Sequence, residues 1–283
     1  MALLNSFNSG VNGIKTFSKS LEVIGDNIAN VNTTGFKGSR VTNQDSFSET
    51  LKTSSAGGGA GQSGGTNSMQ VGSGSSVASI SQQFTQGALS TTGGPSDLGI
   101  SGRGFFKIQN TATNEFFYTR AGDFRLDDSG NLVTNQGLNV TGVDGAPITI
   151  PPLNGTNAIQ SFQIGKDGKV LAYYSNGSAP TPAGQVLLTS FANPNALMRT
   201  GDNLLTNGTL TSGAAGGPAG ATDGTDTTNN QNGDIIQGAL ELSNVDLTQQ
   251  FSDLIVAQRA FQANSRVITV SDSVMEEVVN LKR

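Results

Sequence analysis

Few side chains in this sequence could perform chemistry. Its 283 residues include neither cysteine nor histidine. That removes thiolate nucleophiles, disulfides, the commonest metal ligand and the usual general base. No Ser-His-Asp or Cys-His arrangement can be built from such a chain. Carboxylates remain, and Asp123 with Asp127 could in principle act as acid and base on a glycan. The run Asp127-Asp128-Ser129-Gly130 lacks the alternation and closing glutamate of a calcium loop, and reads better as a hairpin turn. Gly99, Gly102 and Gly104 stand in the wrong order for a dinucleotide loop. The Asn-x-Thr sequence at Asn32 matters only in a glycosylating compartment. The expectation is therefore no catalytic residues, no cofactor and no metal.

The residues with the most regular spacing are apolar. Phe7, Ile14, Leu21 and Ile28 recur every seventh position near one end, as do Leu247, Leu254, Phe261, Ile268 and Met275 near the other. A strict heptad keeps one seam of a helix against a partner, so each end reads as one strand of a coiled coil. All eight prolines lie between Pro95 and Pro218, leaving both flanks free of the strongest helix breaker. Asp246 and Gln249 suggest a capping box opening a helix that runs to about Leu281. The N-terminal helix is weaker, because Gly10, Gly13 and Gly25 each cost about 1 kcal/mol relative to alanine. It should form only when its stripe is buried, and Gly35 is a natural stop. Polar or small residues at the positions four on from the heptads (Ser18, Gly25, Gln258, Ser265, Asp272) suit packing in a larger bundle better than an isolated pair.

Charged residues make up only 13% of the chain, the net charge is −5, and no basic run exists. A phosphate-binding surface needs clustered Lys and Arg, so nucleic acid is excluded as a partner. No apolar stretch reaches the length of a membrane span. Met1 to Asn12 carry no positive charge and no continuous apolar run, so any export is expected to proceed without a cleaved signal peptide.

The fold class expected is α+β: paired terminal coiled-coil helices around a mainly-β central domain. The organisation reads as an N-terminal helix over 1–34, a Ser/Gly-rich linker or extended arm over 35–76, a β-rich domain over 77–211, a linker over 212–243, and a C-terminal helix over 244–283. The first linker holds Gly57-Gly58-Gly59, and flexibility or order only in an assembly are both compatible with it. Within the β-region, Phe105–Ile108 and Phe116–Tyr118 are short apolar strands, and Lys166-Asp167-Gly168-Lys169 turns a hairpin between Phe162–Ile164 and Val170–Ala172.

The run from Asn27 to Lys37, with Asn30, Asn32, Thr34, Gly35 and Phe36, closely resembles the signature of the bacterial flagellar rod and hook proteins. The resemblance continues in family order through Phe84–Leu89, Gly102–Phe106, Tyr118–Phe124, Gln237–Leu247 and Leu254–Asn264. Ser6–Ile14 and Val279–Arg283 look most like hook members, with distal rod members second; the short chain is nearer to a rod. The resemblance implies a structural subunit, not an enzyme, that self-assembles into a hollow helical tube. Its terminal helices would line the channel. Its partners would be copies of itself, other axial proteins (rod, hook cap, hook-filament junction) and the type III export apparatus. Its location would be the hook or basal body. A β-rich surface binding module is the competing class, poorly served by a chain with no Trp and three Tyr.

Overall fold

The computed structural model describes residues 2–55, 64–111, 113–143, 145–150, 159–174, 180–191, 193–207, 221–223 and 233–281. Gly57-Gly58-Gly59 and most of the second Ser/Gly stretch lie outside them. The chain divides into two compact units: Met1–Ala29, Ser39–Gln83 and Asp246–Arg283 form unit 1, and Asn30–Gly38 and Phe84–Val245 form unit 2.

Unit 1 holds helix α1 (Ala2–Ala29), strands β1 (Ser39–Asp45), β2 (Ser48–Lys52), β3 (Met69–Gly72) and β4 (Ser75–Gln82), and helix α2 (Leu247–Asn280). Asp246 caps α2 as the sequence suggests, its Oδ1 accepting from Thr248 N at 2.8 Å and Gln249 N at 3.4 Å. Gln249 does not complete the box; its amide donates to Asp253 at 2.9 Å instead. The glycines that weaken α1 have a steric explanation. A Cβ on Gly10 would lie 3.1 Å from Ile268, and one on Gly13 would lie 2.9 Å from the Asn264 amide. Falling numbers on α2 thus meet rising numbers on α1, so the two helices run antiparallel. Gly25 differs, having nothing within 4 Å of its missing Cβ.

The stretch expected to be a linker or arm is a braced hairpin over its described residues. β1 pairs with β4 from Ser39↔Gln82 to Asp45↔Ser75, and β2 pairs with β3 from Ser48↔Gly72 to Lys52↔Met69. Asn12 Nδ2 donates to Ser73 O at 2.9 Å and Thr16 Oγ1 to Ser75 O at 3.0 Å, tying the hairpin to α1. Helix α1 also stops at Ala29, well short of Gly35. Thr33 N donates to Asn30 O at 3.1 Å in a turn, as expected where Asn and Thr side chains compete with helical bonds.

Unit 2 holds β5 (Leu89–Thr91), β6 (Leu98–Ser101), β7 (Phe105–Asn110), β8 (Glu115–Thr119), β9 (Arg125–Leu126), β10 (Leu132–Val133), β11 (Asn139–Val140), β12 (Ile159–Ile164), β13 (Lys169–Tyr174), β14 (Thr181–Gln185), β15 (Leu188–Phe191), β16 (Leu197–Gly201), β17 (Leu204–Asn207), β18 (Ala221–Asp223), β19 (Asp234–Gln237) and β20 (Ala239–Glu241). The strands β18 to β20 fall where the sequence suggested the second linker. A nine-stranded sheet runs β16-β17-β8-β7-β11-β10-β9, with β15 on β7 and β18 on β15. The expected hairpin appears as β12–β13, extended by β14. Leu98, Ile100, Phe106, Ile108, Phe124 and Val170 belong to the main core. Phe105, Tyr118, Leu197 and Leu205 form a second cluster, where Phe105 and Tyr118 each meet Phe191 edge-on.

The two kinds of helix glycine give opposite expectations. Gly25→Ala should stabilise the monomer by roughly 1 kcal/mol, the helix-propensity difference, because no neighbour resists the new methyl. Gly13→Ala should give no such gain, because it displaces Asn264. Chemical denaturation of both variants checks this; equal gains would mean that α2 does not approach Gly13.

Candidate functional site

The chain's sparse charges converge on one carboxylate. Glu241, at the end of β20, is 1% exposed. Its Oε1 accepts from Lys37 Nζ at 2.7 Å and from Gly87 N at 2.8 Å, and its Oε2 from Arg120 Nη1 at 3.1 Å. Its backbone carbonyl accepts from Gly35 N at 2.7 Å. Lys37 and Arg120 are each 6% exposed. Lys37 also donates to Thr85 O at 2.7 Å, and Arg120 Nη2 to Gly102 O at 2.8 Å. The Arg120 guanidinium lies 5.3 Å from the Phe105 ring centroid, a cation–π contact. Burial pushes the Lys37 ammonium below its ordinary pKa, with Glu241 opposing the shift.

Backbone approaches close the same site. Gly35 has φ +67°, and a Cβ there would lie 2.5 Å from Ala121 N. A Cβ on Gly87 would lie 2.0 Å from Leu242 O. Only glycine tolerates both demands at Gly35. Leu242 N donates to Ala88 O at 2.8 Å. Asn244 Oδ1 accepts from Gly38 N at 2.8 Å, and its Nδ2 donates to Thr85 Oγ1 at 2.8 Å. Phe36 is buried beneath Arg199, whose guanidinium lies 4.9 Å from the ring centroid. Thr34 is held through its carbonyl by Asn203 Nδ2 at 2.7 Å.

A cleft of about 400 Å³ opens beside this loop, lined in part by Asn30, Thr34, Asp123, Asn135 and Asp202. Its polar groups bind one another: Asn135 donates to Asp123, and Gln136 donates to Asp202 O at 3.4 Å. Burial raises the Asp123 carboxyl above the usual carboxylate range, and the charge of Asp97 adds to it. Asp127 is exposed in a turn that Gly130 N closes at 2.8 Å. Among the described residues no cluster of acidic side chains could hold a metal ion.

In unit 1 the signature residue Asn27 is buried on α1. Its amide accepts from Ser39 N and donates to Ser39 O, both at 2.8 Å, and also donates to Gln250 Oε1 at 3.0 Å. It thereby completes the hydrogen bonds that β1 would otherwise leave open. Asn30 is half-buried and Asn32 exposed. Of the heptad residues, Ile14, Leu21, Ile28, Leu254, Phe261 and Ile268 are half-buried, while Phe7, Leu247 and Met275 are exposed. The buried alternate positions of α2 are Ala257 and Ser271, three residues after Leu254 and Ile268. Of the α2 positions four on, Gln258 and Asp272 are exposed and Ser265 is half-buried. A second set of apolar side chains on α2, among them Phe251, Ile255, Val256 and Val270, is half or more exposed.

Residues 7–37 match the flagella basal body rod protein family, 99–172 the flagellar hook protein FlgE/F/G D1 domain, and 236–281 the flagellar basal body rod FlgEFG protein C-terminal region. Over 281 residues the chain is 45% identical to the flagellar basal-body rod protein FlgG of Bacillus subtilis (strain 168), covering 99% of this chain and 100% of the relative. The chain belongs to the flagellar rod and hook protein family. The FlgG rod protein of Agrobacterium fabrum is 36% identical over 272 residues, covering 95% and 97% of the two chains. The flagellar hook protein FlgE of Borreliella burgdorferi is 26% identical over an alignment of 454 residues, covering 99% and 100%. Membership makes this a structural protein of the flagellar axis rather than an enzyme. Each family-matched segment supplies one ion of the cluster: Lys37 from the first, Arg120 from the second, Glu241 from the third.

Sequence reasoning placed Asn27, Thr34, Gly35 and Phe36 in a signature but did not assign Lys37, Gly87, Arg120 or Glu241 a role. A usable signal existed: each of the three ions stands inside a recurring block, in a chain with few charges.

Removing Glu241 leaves two cations buried without a counter-charge. Glu241→Ala should therefore destabilise unit 2 by about 3–5 kcal/mol, read by urea denaturation. The lowered Lys37 pKa also fixes a sign. Between that lowered value and the ordinary 10.5 the unfolded chain holds the extra proton, so stability should rise with pH across this window. Lys37→Met should flatten that alkaline rise, and an unchanged pH profile would refute the assignment.

Proposed function

We propose that the chain is a subunit of the distal rod of the flagellum, a rigid shaft built by helical self-assembly. The observation that carries this reading is full-length collinearity with relatives named as basal-body rod proteins, at 45% and 36% identity. The sequence alone put the hook first and the distal rod second, and these relatives favour the reverse order. The hook relative aligns over 454 residues against 283 in this chain, so it carries inserted length that this chain lacks.

A braced arm supports the same reading. A flexible joint would need a loose connection where β1 to β4 instead form paired strands tied to α1 by Asn12 and Thr16. Assembly would use the terminal helices. They pair as an antiparallel coiled coil along the half-buried seam of Ile14, Leu21, Leu254, Phe261 and Ile268, and bury the outer apolar stripe of α2 against further copies. An apolar stripe of that extent is unusual on a protein that works as a monomer. Contacts repeated by a head-to-tail operator that does not close give a filament. Other axial proteins and the type III export apparatus complete the set of partners. Among the described residues no helix is long and apolar enough to cross a membrane.

Complementation separates rod from hook. Expressed in a flagellated bacterium lacking its distal rod protein, the chain should restore rods and swimming; in one lacking its hook protein it should not. Rescue of the hook mutant alone would overturn the rod reading. Phe261→Ala should cost about 2–5 kcal/mol of packing per subunit once the seam is buried, and shorten or abolish the tubes in electron micrographs. Normal tubes would mean that the seam is no interface. Asn12→Ala with Thr16→Val removes the two hydrogen bonds from α1 to the hairpin, about 1 kcal/mol each. It should leave polymerisation intact while lowering the bending stiffness measured from tube curvature.

A further inference from the structure

In unit 2, residues Gly35–Gly38 and Thr85–Ala88 are brought together largely by a third segment, Glu241–Asn244. Gly35 N binds Glu241 O, Gly38 N binds Asn244 Oδ1, Gly87 N binds Glu241 Oε1, and Leu242 N binds Ala88 O. Lys37 Nζ ties the two directly, donating to Thr85 O. That tie buries an ammonium whose counter-ion is Glu241, 204 positions further along the chain. Arg120 depends on the same carboxylate. Without it the interior would hold two desolvated cations and no anion, an arrangement that folded proteins avoid. The strands that carry Glu241 into place are short: β19 pairs with β6 over four residues and β20 with β5 over three. By contrast, β7 and β8 are neighbours in sequence and pair across a five-residue ladder from Phe106↔Thr119 to Asn110↔Glu115. Local pairing of this kind forms early, and pairings across long separations form late.

We propose that unit 2 closes last at Glu241, so that the loops Gly35–Gly38 and Thr85–Ala88 are locked together only once the C-terminal part of the chain has arrived. The cluster is then a test of chain completeness. A chain made from its N-terminus carries Lys37 and Arg120 long before it carries their shared counter-ion. Until then, both cations keep their hydration and the amides of Gly35 and Gly87 lack their acceptors on Glu241.

Pulse-labelling hydrogen exchange during refolding of the full-length monomer tests this directly. The amides of Gly35 and Gly87 should gain protection together with that of Leu242, in a phase at least ten-fold slower than the amides of β7 and β8. Protection of Gly35 and Gly87 in the early phase would overturn the proposal, and this measurement needs no variant. In Glu241→Gln the late phase should slow at least ten-fold, and native-state exchange at Gly35 and Gly87 should quicken at least ten-fold, with β7–β8 unchanged. Adding Lys37→Met to Glu241→Gln removes one of the stranded cations and should recover part of the rate. A packing role alone would give no recovery, and that result would also overturn the idea.

Discussion

One buried carboxylate has to satisfy two cations and a backbone amide at once, and the same residue's carbonyl takes a second amide, so that four stretches of unit 2 are tied together at one point. Glu241 can meet Lys37, Arg120, Gly87 and Gly35 only if four separate stretches of chain lie side by side. Ion pairs of this kind are not strong stabilisers, because desolvation of each charge offsets most of the attraction. Well-packed apolar residues in their place would hold the fold about as firmly. They would not distinguish one register from another, whereas a stranded charge makes every wrong register expensive. In a domain of short strands, several of them only two or three residues long, few ladders can specify register alone. The cluster supplies what those strands cannot.

The helical unit solves a different problem with different means. Its interface must accept a close approach of two helices, and it does so with Gly10 and Gly13 opposite Ile268 and Asn264. Those glycines lower the intrinsic helicity of α1, so the helix depends on what packs against it: α2 on one side, and the hairpin arm through Ser73 and Ser75 on another. The remaining apolar surface of α2 stays uncovered in a single chain. A helix pair with weak propensity on one strand and spare apolar surface on the other is poorly suited to life as a monomer. It suits a subunit whose folding is completed by neighbours.

How much of this was legible in the sequence depends on the range of the interaction. The cap at Asp246, the extent of α2 and the β12–β13 hairpin rest on residues a few positions apart, and all could be read directly. The phase of the α2 seam could not: apolar residues every seventh position leave the second buried position open, and it falls to the small buried residues Ala257 and Ser271. The end of α1 was misread because Val31 continues the apolar stripe. The turn at Asn30–Thr33 nonetheless prevails, closed by Thr33 N on Asn30 O and by the Thr33 hydroxyl on the Asn30 side chain. The arm read as a linker because Ser and Gly dominate it, and its pairing of Ser39 with Gln82 is a tertiary event. The charge cluster was the hardest to see. A charge in a sequence carries no label for its partner, and Lys37 and Glu241 are joined only by the completed fold.

The distribution of these features along the chain bears on how one family provides both rods and hooks. The three family-matched segments contain the whole ion cluster and the seams of both helices. The arm from Ser39 to Gln82 falls between the first and second of them, and the strands β14 to β18 fall between the second and third. A change in the arm therefore leaves the counter-ions of unit 2 in place. Stiffness and length can vary there without risk to the register of the domain, whereas a change at Lys37, Arg120 or Glu241 strands a buried charge. The intervals are thus where the sequence can change without stranding a buried charge, and the arm, braced against α1 by Asn12 and Thr16, is the interval that belongs to unit 1.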